Sequence, residues 1–141
     1  MTLGKPQDRA KLLMATTDRD LEKLPNAWNL LLQKGRLERE LGNFVVAEKV
    51  VEQACQISPG AAAVWYELGM LSESMHKLQR AVQSYQQAIG IDPNHAMAHM
   101  QLGTLFGRSG NDAMALQHFR DAVRVLPNSS RAHNNYAIPL L

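Results

Sequence analysis

Apolar residues in the middle of the chain recur at helical spacing in two successive blocks. Trp65, Leu68, Gly69 and Leu71 fall at three- and four-residue intervals, and Leu78, Ala81, Val82, Tyr85, Ala88, Ile89 and Ile91 form a second stripe. The blocks divide near His76, and equivalent divisions fall at Gly42-Asn43 and Gly110-Asn111. Glycine can end a helix in the left-handed conformation, and asparagine can cap the one that follows. Pro25, Pro59, Pro93 and Pro127 stand 34 residues apart, each removing a backbone donor where a second helix should stop. Asn94 and Asn128, next to two of those prolines, suit the start of the following helix. The pattern predicts an all-α chain built as an α-solenoid, a string of antiparallel helix pairs.

Small residues keep the same period: Gly35, Gly69 and Gly103 with Ala137 at the next step, then Ala47, Ala81 and Ala115, then Ala54, Ala88 and Ala122. Small side chains where helices cross let the backbones approach. Trp65, Tyr85, Phe44, Phe106 and Phe119 are the large residues expected to fill the space alongside. Residues 6–23 also read as helical, with Ala10, Leu13, Met14, Leu21 and Leu24 as apolar candidates. Pro25 falls in register after them, so this segment is a degenerate second helix of an earlier repeat or a cap.

These columns resemble the tetratricopeptide repeat, whose pattern runs Trp, two residues, Leu-Gly, two residues, Tyr, then Ala, three residues, Phe, and finally Pro. One unit offers Trp65, Leu68, Gly69, Ala81, Tyr85 and Pro93, with Ser72 at the aromatic site. The next offers Leu102, Gly103, Phe106, Ala115, Phe119 and Pro127, with His99 at the tryptophan site. The first is looser: Leu31, Lys34 and Glu38 replace Trp, Leu and Tyr, while Gly35, Ala47, Ala54 and Pro59 hold. The resulting division is an N-terminal helical capping segment at 1–25 and a repeat domain at 26–141. Its repeats fall at about 28–61, 62–95 and 96–129, with a partial fourth at 130–138. Pro139 cuts that fourth unit off and leaves Leu140-Leu141 behind it. A piece of a longer protein would show this ending, and so would a chain that self-associates through its C-terminal end.

The resemblance implies a right-handed superhelix whose first helices line a concave side, where an extended peptide or a partner's helix lies. Carried through the 34-residue offset, one column of that side is Leu32, Tyr66, Met100 and Asn134. Its neighbour is Gln33, Glu67, Gln101 and Asn135. A turn further come Arg36, Met70, Thr104 and Ile138, and a turn earlier Asn29, Ala63, Met97 and Arg131. The expected peptide-binding set is therefore Leu32, Gln33, Arg36, Tyr66, Glu67, Met70, Met97, Met100, Gln101, Thr104, Arg131, Asn134 and Asn135. Leu32, Tyr66, Met70, Met97 and Met100 would form an apolar strip, methionine adapting to varied shapes. Gln33, Glu67, Gln101 and Asn135 would run beside it as a polar ladder, the amides able to pair with a backbone of any sequence. The alternative is that Met97 and Met100 face the next helix and the amides face water. The cationic set that grips chaperone C-terminal carboxylates is missing, since Leu32, Arg36, Glu67, Met97 and Gln101 occupy its places.

Composition removes other function classes. Fifteen Lys and Arg against 13 Asp and Glu leave a net charge of +2, too little to imply nucleic acid or an anionic membrane. The longest clean apolar run, Ala61 to Tyr66, is far below the roughly 18 residues of a membrane span. No phosphate-binding glycine loop, paired-cysteine motif or zinc-protease helix is present, so no enzyme and no cofactor is expected. His95 and His99 stand four apart and could chelate a metal in principle, but a third ligand is not evident in sequence, and no metal is assigned. Cys55 follows the small column at Ala54 and reads as a buried thiol. One cysteine and no leader-like segment in Met1–Ala10 suit a cytoplasmic location, with an envelope location open if a leader has been removed. The expectation is a non-catalytic module that binds a peptide or helix of another protein. A self-assembling scaffold element, or the targeting domain of a larger protein or enzyme, is the alternative.

Overall fold

A computed structural model describes residues 5–125. These form seven helices: α1 (Pro6–Lys23), α2 (Trp28–Glu40), α3 (Phe44–Ile57), α4 (Ala62–Ser74), α5 (Leu78–Ile91), α6 (Ala96–Arg108) and α7 (Asp112–Val125), with no strand among the described residues. The starts of α2, α4 and α6 are 34 residues apart, and so are those of α3, α5 and α7. The sequence period is the pitch of the structure. Packing is closest within the pairs α2/α3, α4/α5 and α6/α7. Contacts of α3 with α4 and of α5 with α6 join one pair to the next, and α2 also touches α4. Pro127, Asn128, Ala137, Ile138 and the partial repeat at 130–138 lie outside the described residues.

The turn within each pair is made the same way three times. Gly42 (φ 82°), His76 (φ 60°) and Gly110 (φ 84°) adopt the left-handed conformation. Just past each, Asn43, Lys77 and Asn111 donate backbone N–H groups at 2.8 Å to the carbonyls of Glu38, Ser72 and Phe106. The left-handed residues themselves donate to Arg39, Glu73 and Gly107. Two orphaned carbonyls are thereby satisfied at each helix end, which is why the period tolerates histidine where its neighbours have glycine. The second helices stop two residues short of Pro59 and Pro93, as α1 stops short of Pro25, because a residue before proline resists the helical conformation.

Capping departs from expectation at two of its asparagines. Asn111 Oδ1 does accept from the Met114 N–H at 3.3 Å, but Asn43 makes no side-chain cap. Asn94 is not the first residue of the next helix start. His95 is, its Nδ1 accepting from the Ala98 N–H at 3.1 Å.

The glycine column lies where side chains of the partner helix press on α2, α4 and α6. A Cβ on Gly69 would stand 2.5 Å from the Tyr85 ring and one on Gly103 would stand 2.6 Å from that of Phe119, while Gly35 faces Val51 in the same way. Ala47, Ala54, Ala81, Ala88 and Ala122 are fully buried beside them, and Ala115 nearly so. Tyr85 is the largest fully buried side chain among the described residues, and its hydroxyl donates to Glu73. α1 closes the other end, seating Ala10 and Met14 against Leu37 and Leu41. Leu21 is half-buried, but the apolar candidates Leu13 and Leu24 are exposed, and Thr17 takes an interior place. Its hydroxyl accepts from Gln33 Nε2 at 2.7 Å and donates to the Leu13 carbonyl.

Candidate binding face

The first helices α2 and α4 pack side by side and leave a hollow of about 440 Å³ between them. Asn29, Leu32, Gln33, Arg36 and Arg39 line it from α2, and Ala63, Tyr66, Glu67 and Met70 from α4. All but Arg39 belong to the columns read from the sequence. The helical rise places Asn29, Leu32 or Gln33, and Arg36 one above another on a single face, and the 34-residue offset places their counterparts opposite.

Its wall is apolar in the middle. Leu32, Tyr66 and Met70 are half-buried, and the Tyr66 ring lies 5.7 Å from that of Tyr85 and 5.0 Å from that of His95. Burial lowers the His95 pKa, so the imidazole is neutral at neutral pH, which agrees with its bare Nδ1 accepting the helix cap. Polar groups surround this strip. Arg36 is exposed at the mouth. Arg39 crosses the hollow and donates from Nε to Glu67 Oε1 at 2.9 Å. With side chains 17% and 8% exposed, this is a pair largely withdrawn from water.

The third repeat continues the face differently. Met100, expected as an anchor, is only 1% exposed and packs with Met97 against Ala122 and Val123 of α7. Gln101 is buried, and the Thr104 hydroxyl donates to its own helix at the Met100 carbonyl, 3.0 Å away. The first two rungs of the polar ladder are also engaged internally, Gln33 with Thr17 and Glu67 with Arg39. Arg131, Asn134 and Asn135 lie outside the described residues. The structure therefore brings Leu32, Gln33, Arg36, Tyr66, Glu67 and Met70 together and leaves Met97, Met100, Gln101 and Thr104 apart from them. Arg39 was missed, although it stands one turn beyond Arg36 and the same column continued once more would have reached it.

The two histidines weighed as a chelating pair take separate places. His95 caps α6, whereas His99 sits in the core and meets His118 of α7, Nδ1 to Nδ1, at 3.1 Å. Cys55 is buried as expected, its thiol turned to the Val64 carbonyl, and burial pushes its pKa up to about 11. A thiolate is the reactive form, so at pH 8 alkylation of folded chain should run more than about a hundredfold slower than that of urea-unfolded chain. Mass spectrometry after timed iodoacetamide exposure reads this directly, and equal rates would place Cys55 at the surface.

Two family profiles described as tetratricopeptide repeat match the chain, at residues 28–71 and 62–95. No curated protein sequence matches it. Among solved structures, the crystal structure of MamA superposes with a TM-score of 0.76 at 19% identity, covering 97% of this chain and 84% of that one. MamA 41-end from Desulfovibrio magneticus RS-1 gives 0.73 at 21% identity, covering 86% and 69%. The APC/C hetero-tetramer Cut9-Hcn1 gives 0.82 at 16% identity over 94% of this chain but 27% of that one. At such identities the likeness is one of fold. Joined to the repeated turns, the glycine column and the matched profiles, it identifies the repeat: residues 28–95 match the tetratricopeptide repeat, a repeat of protein-interaction modules, and the described chain has the solenoid fold that this repeat builds.

Proposed function

We propose that the chain binds an extended peptide segment, or a partner's helix, in the hollow between α2 and α4, and that it does so without catalysis. The observation that supports this most is the composition of the hollow's wall. An apolar strip of Leu32, Tyr66 and Met70 lies beside the exposed guanidinium of Arg36. That arrangement suits a ligand with an apolar side chain one or two residues from a carboxylate. Tyr66 supplies a large contact of low conformational cost, and Met70 a deformable one. Arg36 supplies the charge preference, and Asn29 offers both a donor and an acceptor to a ligand backbone.

The contact area is small and a disordered ligand must be ordered on binding, so a short peptide should bind with Kd on the order of micromolar, about −8 kcal/mol. Selection from a displayed library of random peptides, followed by fluorescence anisotropy, tests the reading. Acidic-apolar sequences should be enriched, and Tyr66→Ala and Arg36→Glu should each weaken them by about tenfold or more, a loss of about 1.4 kcal/mol. Peptides that bind both variants as well as the parent would remove the hollow from the account.

A further inference from the structure

The tryptophan position of the third repeat holds a second feature. In the second repeat Trp65 donates its ring N–H to the Pro59 carbonyl at 2.8 Å. One period later His99 makes the same bond, Nε2 to the Pro93 carbonyl, also at 2.8 Å. A carbonyl only accepts, so Nε2 carries the hydrogen and neutral His99 presents a bare Nδ1 to the interior. Ser84, which stands one period before His118, is likewise buried in the second repeat. A large-small pair has become a pair of imidazoles. Volume is roughly kept, but two nitrogens now face each other at 3.1 Å, and Asp121 Oδ2 stands 3.8 Å from His99 Nδ1.

From this arrangement we propose that His99, His118 and Asp121 form a site for a divalent transition-metal ion of the Zn²⁺ class, which would staple α6 to α7. Their ligand atoms all lie within 4.8 Å of one another. Imidazole nitrogens and carboxylate oxygens bind zinc at about 2.0–2.2 Å, which puts the ligand atoms of a tetrahedral site about 3.4 Å apart. The observed 3.1 and 3.8 Å lie on either side of that spacing. His118 and Asp121 are one helical turn apart on α7 and share a face, with His99 opposite on α6, a layout that helix pairs use for metals.

The surroundings favour the same use. The Pro93 carbonyl fixes the His99 tautomer as an outer partner does for a metal-bound imidazole. Phe106 stacks on His118 at 5.6 Å with planes 7° apart, which sets the ring's orientation. Without metal, His118 Nδ1–H donates to His99 Nδ1. Metal binding requires that hydrogen to move to His118 Nε2 through solvent, leaving two lone pairs for the ion. Asp121 also has Arg124 at 3.6 Å from Oδ1 and Gln117 Nε2 at 3.5 and 3.4 Å from its two oxygens, contacts that an ion of higher charge can outcompete. Two nitrogens and one carboxylate with no thiolate suit Zn²⁺, Co²⁺ or Ni²⁺ rather than Mg²⁺ or Ca²⁺, and three protein ligands leave a position for water.

The second repeat supplies the control. His99→Trp/His118→Ser transplants the Trp65 and Ser84 pair into the third repeat, so the packing has a precedent in the same chain while the nitrogens facing each other are gone. Full-length protein stripped with chelator and titrated with Zn²⁺ should bind one ion and melt about 3 °C or more higher at saturation. Co²⁺ should give visible absorption of a low-coordinate nitrogen-oxygen site. Both signals should vanish in the transplant and weaken about tenfold or more in Asp121→Asn, while Mg²⁺ gives neither. Failure of the parent chain to shift with Zn²⁺ would show the histidines to be only a hydrogen-bonded pair, and a shift that survives the transplant would place the ion elsewhere. Should the transplant not fold, His118→Ser alone, read by the Co²⁺ spectrum, decides in the same way.

Discussion

Gly69→Ala should destabilise the chain by about 1–3 kcal/mol, yet the same substitution made in a Tyr85→Ala background should be neutral or stabilising. The sign changes because two opposed effects act at Gly69. A methyl group there would stand 2.5 Å from a Tyr85 ring that is itself fully buried and hydrogen-bonded to Glu73, so the ring cannot move aside without losing packing on its other face. Against that, alanine in a helix interior is better than glycine by about 0.5–1 kcal/mol, because glycine loses more backbone freedom on folding. With the ring present the overlap wins, and with the ring removed only the propensity is left. Tyr85→Ala alone should cost about 3–5 kcal/mol for the cavity it leaves. Urea unfolding in a stabilising osmolyte keeps the double variant measurable. A coupling energy below about 0.5 kcal/mol between the two sites would mean that helix pairs are not closed by glycine against a ring.

The same comparison explains how far the sequence could be read. Backbone features were legible because a few residue types impose them locally. Pro59 and Pro93 stop α3 and α5 whatever surrounds them, and Gly42 and Gly110 take the left-handed conformation that a Cβ disfavours. Those constraints repeat, so the period alone located all six helices of the three pairs. His76 in the same conformation was legible only through the period, since histidine does not announce a helix end.

Side-chain partners were less legible because they depend on the angle and separation of neighbouring helices, which the period does not encode. The sequence places Gln33 in a polar ladder for a ligand backbone, whereas its amide reaches Thr17 on a helix outside the repeat. Met100 shares a column with Leu32 and Tyr66, but α7 supplies Ala122 and Val123 to cover it. The exposed Leu13 of α1, and Leu24 just past its end, are apolar by sequence, yet the polar Thr17 is the residue turned inward, because Gln33 is there to bond it. The meeting of His99 and His118 across 19 residues had one trace in the sequence. The residue that shrinks from Trp65 to His99 is matched by one that grows from Ser84 to His118.

The Arg39–Glu67 pair makes the sharpest distinction between what holds the hollow's shape and what gives it selectivity. Arg39→Ala should cost about 3 kcal/mol, because the Glu67 carboxylate, its side chain 8% exposed, is left without its cation. Glu67→Ala should cost less, about 1–2 kcal/mol, since the longer Arg39 side chain can swing its charge into the open hollow and recover water. Removing both charges with apolar residues of similar size, Arg39→Met/Glu67→Leu, should bring stability back within about 1 kcal/mol of the parent, because the desolvation of both ions disappears with their attraction. Charge selection should be unchanged by the replacement. The pair is net neutral and Arg36 stays in place, so acidic-apolar peptides should keep their preference over neutral counterparts in the double variant. Urea unfolding of the four proteins gives the stability cycle, and anisotropy with one acidic and one neutral peptide gives the selectivity. A double variant as unstable as Arg39→Ala would show that the pair is needed for the packing of α2 on α4. Loss of the preference for the acidic peptide would show that Arg39 shares the charge selection with Arg36.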